Sequence, residues 1–140
     1  MSDSRPAHVP WLTPYLTVRN ARKAVDFYQR AFGFTLHDQV DDDGAVMHVE
    51  MFYKGQLILM FAPEGAFGST AKSPKSAGIE ASQSFYVYCD DVDAHYARAT
   101  AEGARGIMPP EDQFWGDRFC QLEDPDGYRW GFAKPVTARA

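Results

Sequence analysis

The chain has 140 residues and a mass of 15.7 kDa, the size of one compact domain. Its 45% hydrophobic content, with 10 Phe, 7 Tyr and 3 Trp, excludes a disordered chain and is enough to fill a core. A net charge of −5 and a pI near 5.2 speak against nucleic acid as a partner, because that affinity rests on phosphates neutralised by Lys and Arg. The longest apolar runs, Leu57–Ala62 and Phe85–Cys89, are far shorter than the ~20 residues of a membrane span. No basic stretch followed by an apolar run opens the chain, so a cytoplasmic location without a membrane partner is expected. Cys89 and Cys120 give neither a disulfide framework nor a CxxC motif.

Residues 1–11 are polar at first and proline-bearing, and a flexible tail is expected there. Trp11–Arg19 reads as a strand, and Asn20 supplies an N-cap side chain. Behind it Ala24, Val25, Tyr28, Ala31 and Phe32 recur at helical spacing, with Gly33 as the left-handed exit. Phe34–Val40 reads as a second strand and Asp41-Asp42-Asp43-Gly44 as a solvated turn, since an EF-hand would need further oxygens and a terminal Glu. Ala45–Tyr53 and Gln56–Phe61 form a hairpin around Lys54-Gly55. Residues 63–83, rich in Gly, Ser, Ala, Pro and Lys, make a long linker.

The pattern then restarts. Ser84–Cys89 reads as a strand, Asp90 or Asp91 caps a helix through Val92, Tyr96 and Ala99, and Gly103 ends it. Asp90, Asp91 and Asp93 lie where negative charge complements the helix dipole. A short strand at Gly106–Met108 is followed by a Pro-Pro loop to Gly116. Arg118–Glu123 and Tyr128–Ala133 form a hairpin over Asp124-Pro125-Asp126-Gly127, a turn signature with a geometric role. Strand, helix and three strands thus occur twice, about 71 residues apart, at 12–62 and 84–134, with 135–140 left as a tail.

A single helix covers only one face of a sheet. The expectation is therefore an α+β fold of two tandem βαβββ modules, each sheet packing one face on its helix and both curving around a central cleft. Alternation sends Leu16, Val18, Val49, Met51, Leu57, Leu59 and Phe61 to the helix side of the first module. Tyr15, Thr17, His48, Glu50, Phe52, Ile58 and Met60 go to the cleft. The hairpin keeps both sets in phase only with an odd loop, which predicts a three-residue turn, Tyr53-Lys54-Gly55. In the second module Phe85, Val87, Cys89, Cys120, Leu122, Trp130 and Phe132 face the helix. Ser84, Tyr86, Tyr88, Phe119, Gln121, Arg129 and Gly131 face the cleft. Both cysteines are then buried thiols.

Rings at Tyr15, Phe52, Tyr86, Tyr88, Phe119 and Trp115 either fill the cleft as a second core or form a pocket for a planar ligand, oriented by His48, Glu50, Gln121 and Arg129. His48 and Glu50, two apart on a strand, share a face and bond to each other or to Arg129, or begin a metal site that His37, Asp117 or Glu123 would complete. On the loop Trp115-Gly116-Asp117-Arg118, either Asp117 and Arg118 pair as a structural clasp or Trp115 contacts a ligand. His8 and His95 are expected to be exposed. Ser84 has no His or Asp at nucleophile-elbow spacing, so a hydrolase triad is not supported.

Tyr15-Leu16-Thr17-Val18-Arg19-Asn20, Ala24-Val25-Asp26-Phe27-Tyr28 and Ala31-Phe32-Gly33-Phe34, with the closing Glu123-Asp124-Pro125-Asp126-Gly127-Tyr128-Arg129-Trp130, resemble the vicinal oxygen chelate superfamily over about residues 12–134. That group holds glyoxalase I, the bleomycin-resistance proteins and the extradiol dioxygenases. His48-Val49-Glu50 and Trp115-Gly116-Asp117-Arg118 further resemble its PhnB-like branch. The resemblance implies metal-ligand positions at Thr13, Met60, Ser84 and Gly131, none of them His, Glu or Asp, so no metal cofactor is expected. It also implies a homodimer that binds a small, aromatic or cationic organic ligand by sequestration, with no bond made. The competing expectation is a glyoxalase-like lyase or isomerase with a non-standard metal site or with Glu50 as general base; a third is an accessory domain that mediates assembly.

Overall fold

The computed structural model describes residues 4–136; of the tails expected at 1–11 and 135–140, residues 1–3 and 137–140 lie outside the described residues. The fold is α+β, with two tandem modules and two separate four-stranded mixed sheets, neither closed on itself. Contacts divide the chain into two units. One runs to Gln29 and resumes over Gly33–Ser73; the other joins Arg30–Phe32 to the chain from Pro74 onward. No helix among the described residues is long and apolar enough to cross a membrane.

In the first unit β1 (Tyr15–Val18) leads into α1 (Ala21–Phe27). The Asn20 side chain caps this helix by accepting from the Lys23 backbone N–H at 3.0 Å. A π-helical turn, Tyr28–Phe32, follows, and Gly33 leaves it in the left-handed region at φ 72°. The sheet order is β1-β4-β3-β2, with β2 at Thr35–Asp42, β3 at Ala45–Tyr53 and β4 at Gln56–Pro63, and β1 runs parallel to β4. Strand β2 is longer than the sequence predicts, so the acidic turn contracts to Asp43-Gly44, both at positive φ as a type I′ hairpin requires.

The three-residue turn expected at Tyr53-Lys54-Gly55 is corrected. Tyr53 pairs with Gln56, so the turn is the two residues Lys54 and Gly55, at φ 52° and 79°. The odd residue lies in β4 instead. Phe52 pairs with Leu57 and Met51 with Leu59, leaving Ile58 as a bulge. This insertion keeps the phase that the turn was expected to keep. Leu57, Leu59, Phe61, Val49 and Met51 are buried, while His48, Glu50, Phe52, Ile58 and Met60 are half-buried on the alternate positions. Tyr28 packs its ring on Phe34 and Phe61, at centroid distances of 6.0 and 5.7 Å.

The linker carries a short 3₁₀ turn, Ala66–Gly68, and α2 (Pro74–Ala77). The Glu64 carboxylate accepts from the Ser73 backbone N–H and hydroxyl, at 3.0 and 3.2 Å. In the second unit, β5 (Ser84–Tyr88), β6 (Arg105–Asp112), β7 (Asp117–Glu123) and β8 (Arg129–Pro135) form a sheet of order β5-β8-β7-β6. Asp91 caps α3 (Val92–Ala101) through its side chain, which accepts from the Ala94 N–H at 3.0 Å.

Two expectations fail here for physical reasons. The predicted Pro-Pro loop is part of β6. Being an edge strand it tolerates prolines, and Pro109 and Pro110 sit where the pairing register shifts between Met108 and Glu111. His95, expected to be exposed, instead tucks under α3, its ring 3.9 Å from that of Phe132 and 5.9 Å from that of Phe32. Phe32 also meets Trp130 at 5.4 Å, and these contacts are why the end of the first helix belongs to the second unit. Cys89 and Cys120 are buried, and burial pushes the Cys120 thiol up to about 12, so it stays protonated and inert. Asp124 organises the closing turn as the sequence implied. Its carboxylate accepts from the Asp126 and Tyr128 N–H groups at 3.0 Å and from Trp130 Nε1–H at 2.9 Å.

Candidate functional site

In the first unit the parallel pair β1–β4 sets Tyr15 beside Met60, and the antiparallel pair β3–β4 sets Met60 beside Glu50. His48, two residues before Glu50, stands on the same face. The side chains join into a chain: Tyr15 Oη lies 2.8 Å from His48 Nδ1, and His48 Nε2 lies 3.0 Å from Glu50 Oε2. An ionised Glu50 only accepts, so Nε2 carries a proton, and in the neutral ring Nδ1 accepts from the Tyr15 hydroxyl. Burial and the nearby Glu50 charge raise the Tyr15 pKa. Phe52 stacks instead on His37, 4.0 Å away and 17° from parallel. His37, a candidate third ligand beside His48 and Glu50, is thus stacked on Phe52.

In the second unit the register lays out rows. Tyr88, Ala133 and Phe119 are cross-strand neighbours; the next row holds Tyr86, Gly131 and Gln121; the next holds Ser84, Arg129 and Glu123. Phe119 leans diagonally over Gly131 and stacks on Tyr86, with ring centroids 5.2 Å apart and planes 16° from parallel. A Cβ at 131 would strike the Phe119 ring edge, so the absence of a side chain there is what lets these rings meet. Tyr88 stands at 62° to Tyr86, 5.6 Å away, and Trp115 meets Phe119 edge-on at 5.9 Å. Gly131→Ala is accordingly expected to cost about 1–3 kcal/mol and to break the Tyr86–Phe119 stack. Urea unfolding and near-ultraviolet circular dichroism check this.

Beneath these rings lies Asp117, 1% exposed, which accepts from the Tyr86 hydroxyl at 2.6 Å and the Tyr88 hydroxyl at 2.9 Å through one oxygen. Trp115 Nε1–H donates to the Tyr86 hydroxyl at 2.9 Å, completing a chain from indole through phenol to carboxylate. Burial, and then the bond to Asp117, push the Tyr86 phenol up to about 12, so it remains a donor at neutral pH. The expected Asp117–Arg118 clasp is replaced. Arg118 points to the opposite face and binds Asp93 at 2.7 and 2.9 Å and Asp112 at 3.0 Å. The sequence offers Asp117 as a clasp partner or a third metal ligand and not as the acceptor of two phenols, although strand alternation through Phe119 and Gln121 places it on the ring-bearing face.

Arg129, expected to orient a ligand or to bond His48 and Glu50, pairs with two carboxylates of its own unit. Its Nε lies 2.9 Å from Glu123 and its Nη2 2.9 Å from Glu80, while Arg105 holds Glu123 at 3.1 Å. Burial pushes the Glu123 carboxyl up, but hydrogen bonds from Arg105 and Arg129 outweigh it and leave the group below its usual range. Gln121 is half-buried beside Gly131. The structure thus places Tyr15, His48 and Glu50 in one cluster, Phe52 beside His37, and Tyr86, Tyr88, Trp115 and Phe119 in another. In the first unit a cavity of about 240 Å³ lies at the start of α1 beside Arg22 and Val46, and in the second unit one of about 370 Å³ lies at the start of α3 beside Asp91 and Lys134; neither is lined by a residue of its unit's cluster.

The four positions implied for metal ligands do not fit a divalent cation. Met60 offers a soft thioether, Gly131 offers no side chain and sits under the Phe119 ring, and Thr13 and Ser84 offer neutral hydroxyls. Among the described residues no group of three or more His, Cys, Asp or Glu side chains is arranged to hold an ion.

Residues 6–132 match the domain family described as the Glyoxalase/Bleomycin resistance protein/Dioxygenase superfamily. An uncharacterized protein of Mycobacterium bovis is 33% identical over 130 residues, covering 91% of this chain and 84% of its own. The crystal structure of TioX from a Micromonospora species superposes with a TM-score of 0.68 at 27% identity, covering 89% of this chain and 99% of that one. TnmS3, an antibiotic-binding protein from a Streptomyces species, superposes with a TM-score of 0.63 at 24% identity, covering 89% of this chain and 96% of that one.

Proposed function

Because the chain belongs to the glyoxalase/bleomycin resistance protein/dioxygenase superfamily, we propose that it binds a small aromatic or cationic organic ligand, without a metal ion, on the ring-lined face of its second sheet. The observation that carries this reading is the seating of Phe119 over Gly131. At Gly131, where the resemblance implies a metal ligand, this chain has no side chain, and Phe119 stacks on Tyr86 across it. Rings half-exposed on one face suit a planar guest. The net charge of −5 favours approach of a cation. Members of the superfamily include an antibiotic-binding protein, which makes sequestration of a drug-like molecule the natural form of the activity. A homodimer is part of the same proposal.

The test is a thermal shift of the purified protein with indole and with proflavine, set beside Mn, Ni, Zn and Fe(II), together with its metal content. A ligand that binds only the folded state raises its melting temperature, by about 2.7 kcal/mol of added stability at a hundredfold excess over Kd. A rise with the aromatic probes and none with the ions is the expected result. Stoichiometric metal, or stabilisation by an ion, would overturn the reading.

The chain Tyr15–His48–Glu50 favours a second reading, a lyase or isomerase in which Glu50 removes a proton while His48 and Tyr15 adjust to the change of charge. Consumption of a hemithioacetal by the protein, abolished in Glu50→Gln, would establish it in place of the first.

A further inference from the structure

Building on the ligand-binding reading, we infer that the second sheet's ring face selects molecules bearing an ammonium group, held in the corner between Tyr86 and Tyr88 above the buried Asp117 carboxylate. A neutral aromatic guest needs only ring faces. Nothing about stacking calls for a carboxylate underneath, and burying one carries a desolvation cost that its hydrogen bonds recover only in part. An amide oxygen in the same place would accept from both hydroxyls with no charge to bury.

What the carboxylate adds is negative potential where the two phenols converge. Each O–H···O⁻ bond draws its proton toward Asp117 and leaves the phenol oxygen and its ring richer in electron density. Tyr86 receives a further donor in Trp115 Nε1–H, so the indole, too, is oriented around the same corner. Two rings at 62° with half-exposed surfaces then offer a cation two electron-rich walls. Positive side chains elsewhere on this face do not compete. Arg105 and Arg129 are bound to Glu123 and Glu80, and Arg118 lies on the other face with Asp93 and Asp112. Tyr86 holds its proton far above neutral pH, so the chain of donors persists across the working range.

Choline and its neutral isostere 3,3-dimethylbutan-1-ol separate charge from shape, and indole reports on stacking alone. The Trp115 indole N–H resonance in ¹H–¹⁵N spectra follows each titration. Choline is expected to bind about tenfold more tightly than the isostere, and in Asp117→Asn the preference is expected to fall to about twofold. Equal affinity for the two in the native protein would overturn the inference, and indole binding would then leave the broader reading standing. If neither indole nor choline perturbs the resonance, both fall together. Should Asp117→Asn not fold, Tyr88→Phe serves: it removes one hydroxyl from the carboxylate and is expected to reduce the preference about threefold, and an unchanged preference would overturn the inference.

Discussion

Asp117→Ala is expected to lower the free energy of unfolding by about 3 kcal/mol and the melting temperature by about 10 °C, read by urea titration and a thermal melt. The carboxylate is 1% exposed and receives two phenolic protons. Charge-assisted bonds of this kind contribute about 1.5–3 kcal/mol each, and truncation leaves both donors without their acceptor. Two effects reduce the sum. Tyr86 and Tyr88 are 47% and 46% exposed, so water can take up part of their hydrogen bonding, and removing a buried charge recovers its desolvation cost. Asp117→Asn keeps the shape and one acceptor and is expected to cost about 1 kcal/mol. An alanine variant as stable as the native protein would mean that Asp117 contributes nothing net to the fold.

Acid is expected to weaken the protein through His95. Its pKa is lowered to about 4, first because the ring is buried and then because Arg98 is close, while the same group in the unfolded chain titrates near 6.5. Nε2 is enclosed without a hydrogen-bond partner among the described residues, so nothing there stabilises a second proton. Between these two pKa values the unfolded chain binds the proton and the folded one does not. Stability therefore rises with pH across that window, and is lost as pH falls from about 6.5 toward about 4. The loss between neutral pH and about pH 5 is expected to be about 2 kcal/mol. His95→Phe, which keeps a ring against Phe132, is expected to flatten that slope, and an unchanged slope in urea titrations would show that other groups are responsible. Glu123 works in the same direction at lower pH. Its lowered carboxyl pKa means that stability present above the unfolded value is lost as the group protonates in the folded state.

Much of the fold is legible because its punctuation is local. Asn20 and Asp91 cap helices through their own side chains, Gly33 and Gly103 end them, and alternation sorts buried from half-buried residues on most strands. What escapes a linear reading depends on partners far along the chain. Parity demanded one odd residue in the β3–β4 hairpin, but only cross-strand pairing shows it at Ile58 instead of in the turn. Pro109 and Pro110 look like a loop until β6 is known to be an edge. In the candidate site, the rings on β5 and β7 follow from alternation, whereas the role of Asp117 depends on where two tyrosine hydroxyls end. Arg129 pairs with Glu80, which belongs to the linker and carries no signal of that pairing.

The assignment of Phe32 bears on whether the second unit can fold without the first. Its ring lies against Trp130 and Phe132, yet it is encoded in the first repeat. A fragment starting at Pro74 would keep every strand of the second sheet and still lack one of the aromatic plugs of its core. The second unit thus depends on Arg30–Phe32, a segment that lies before most of the first unit in the chain.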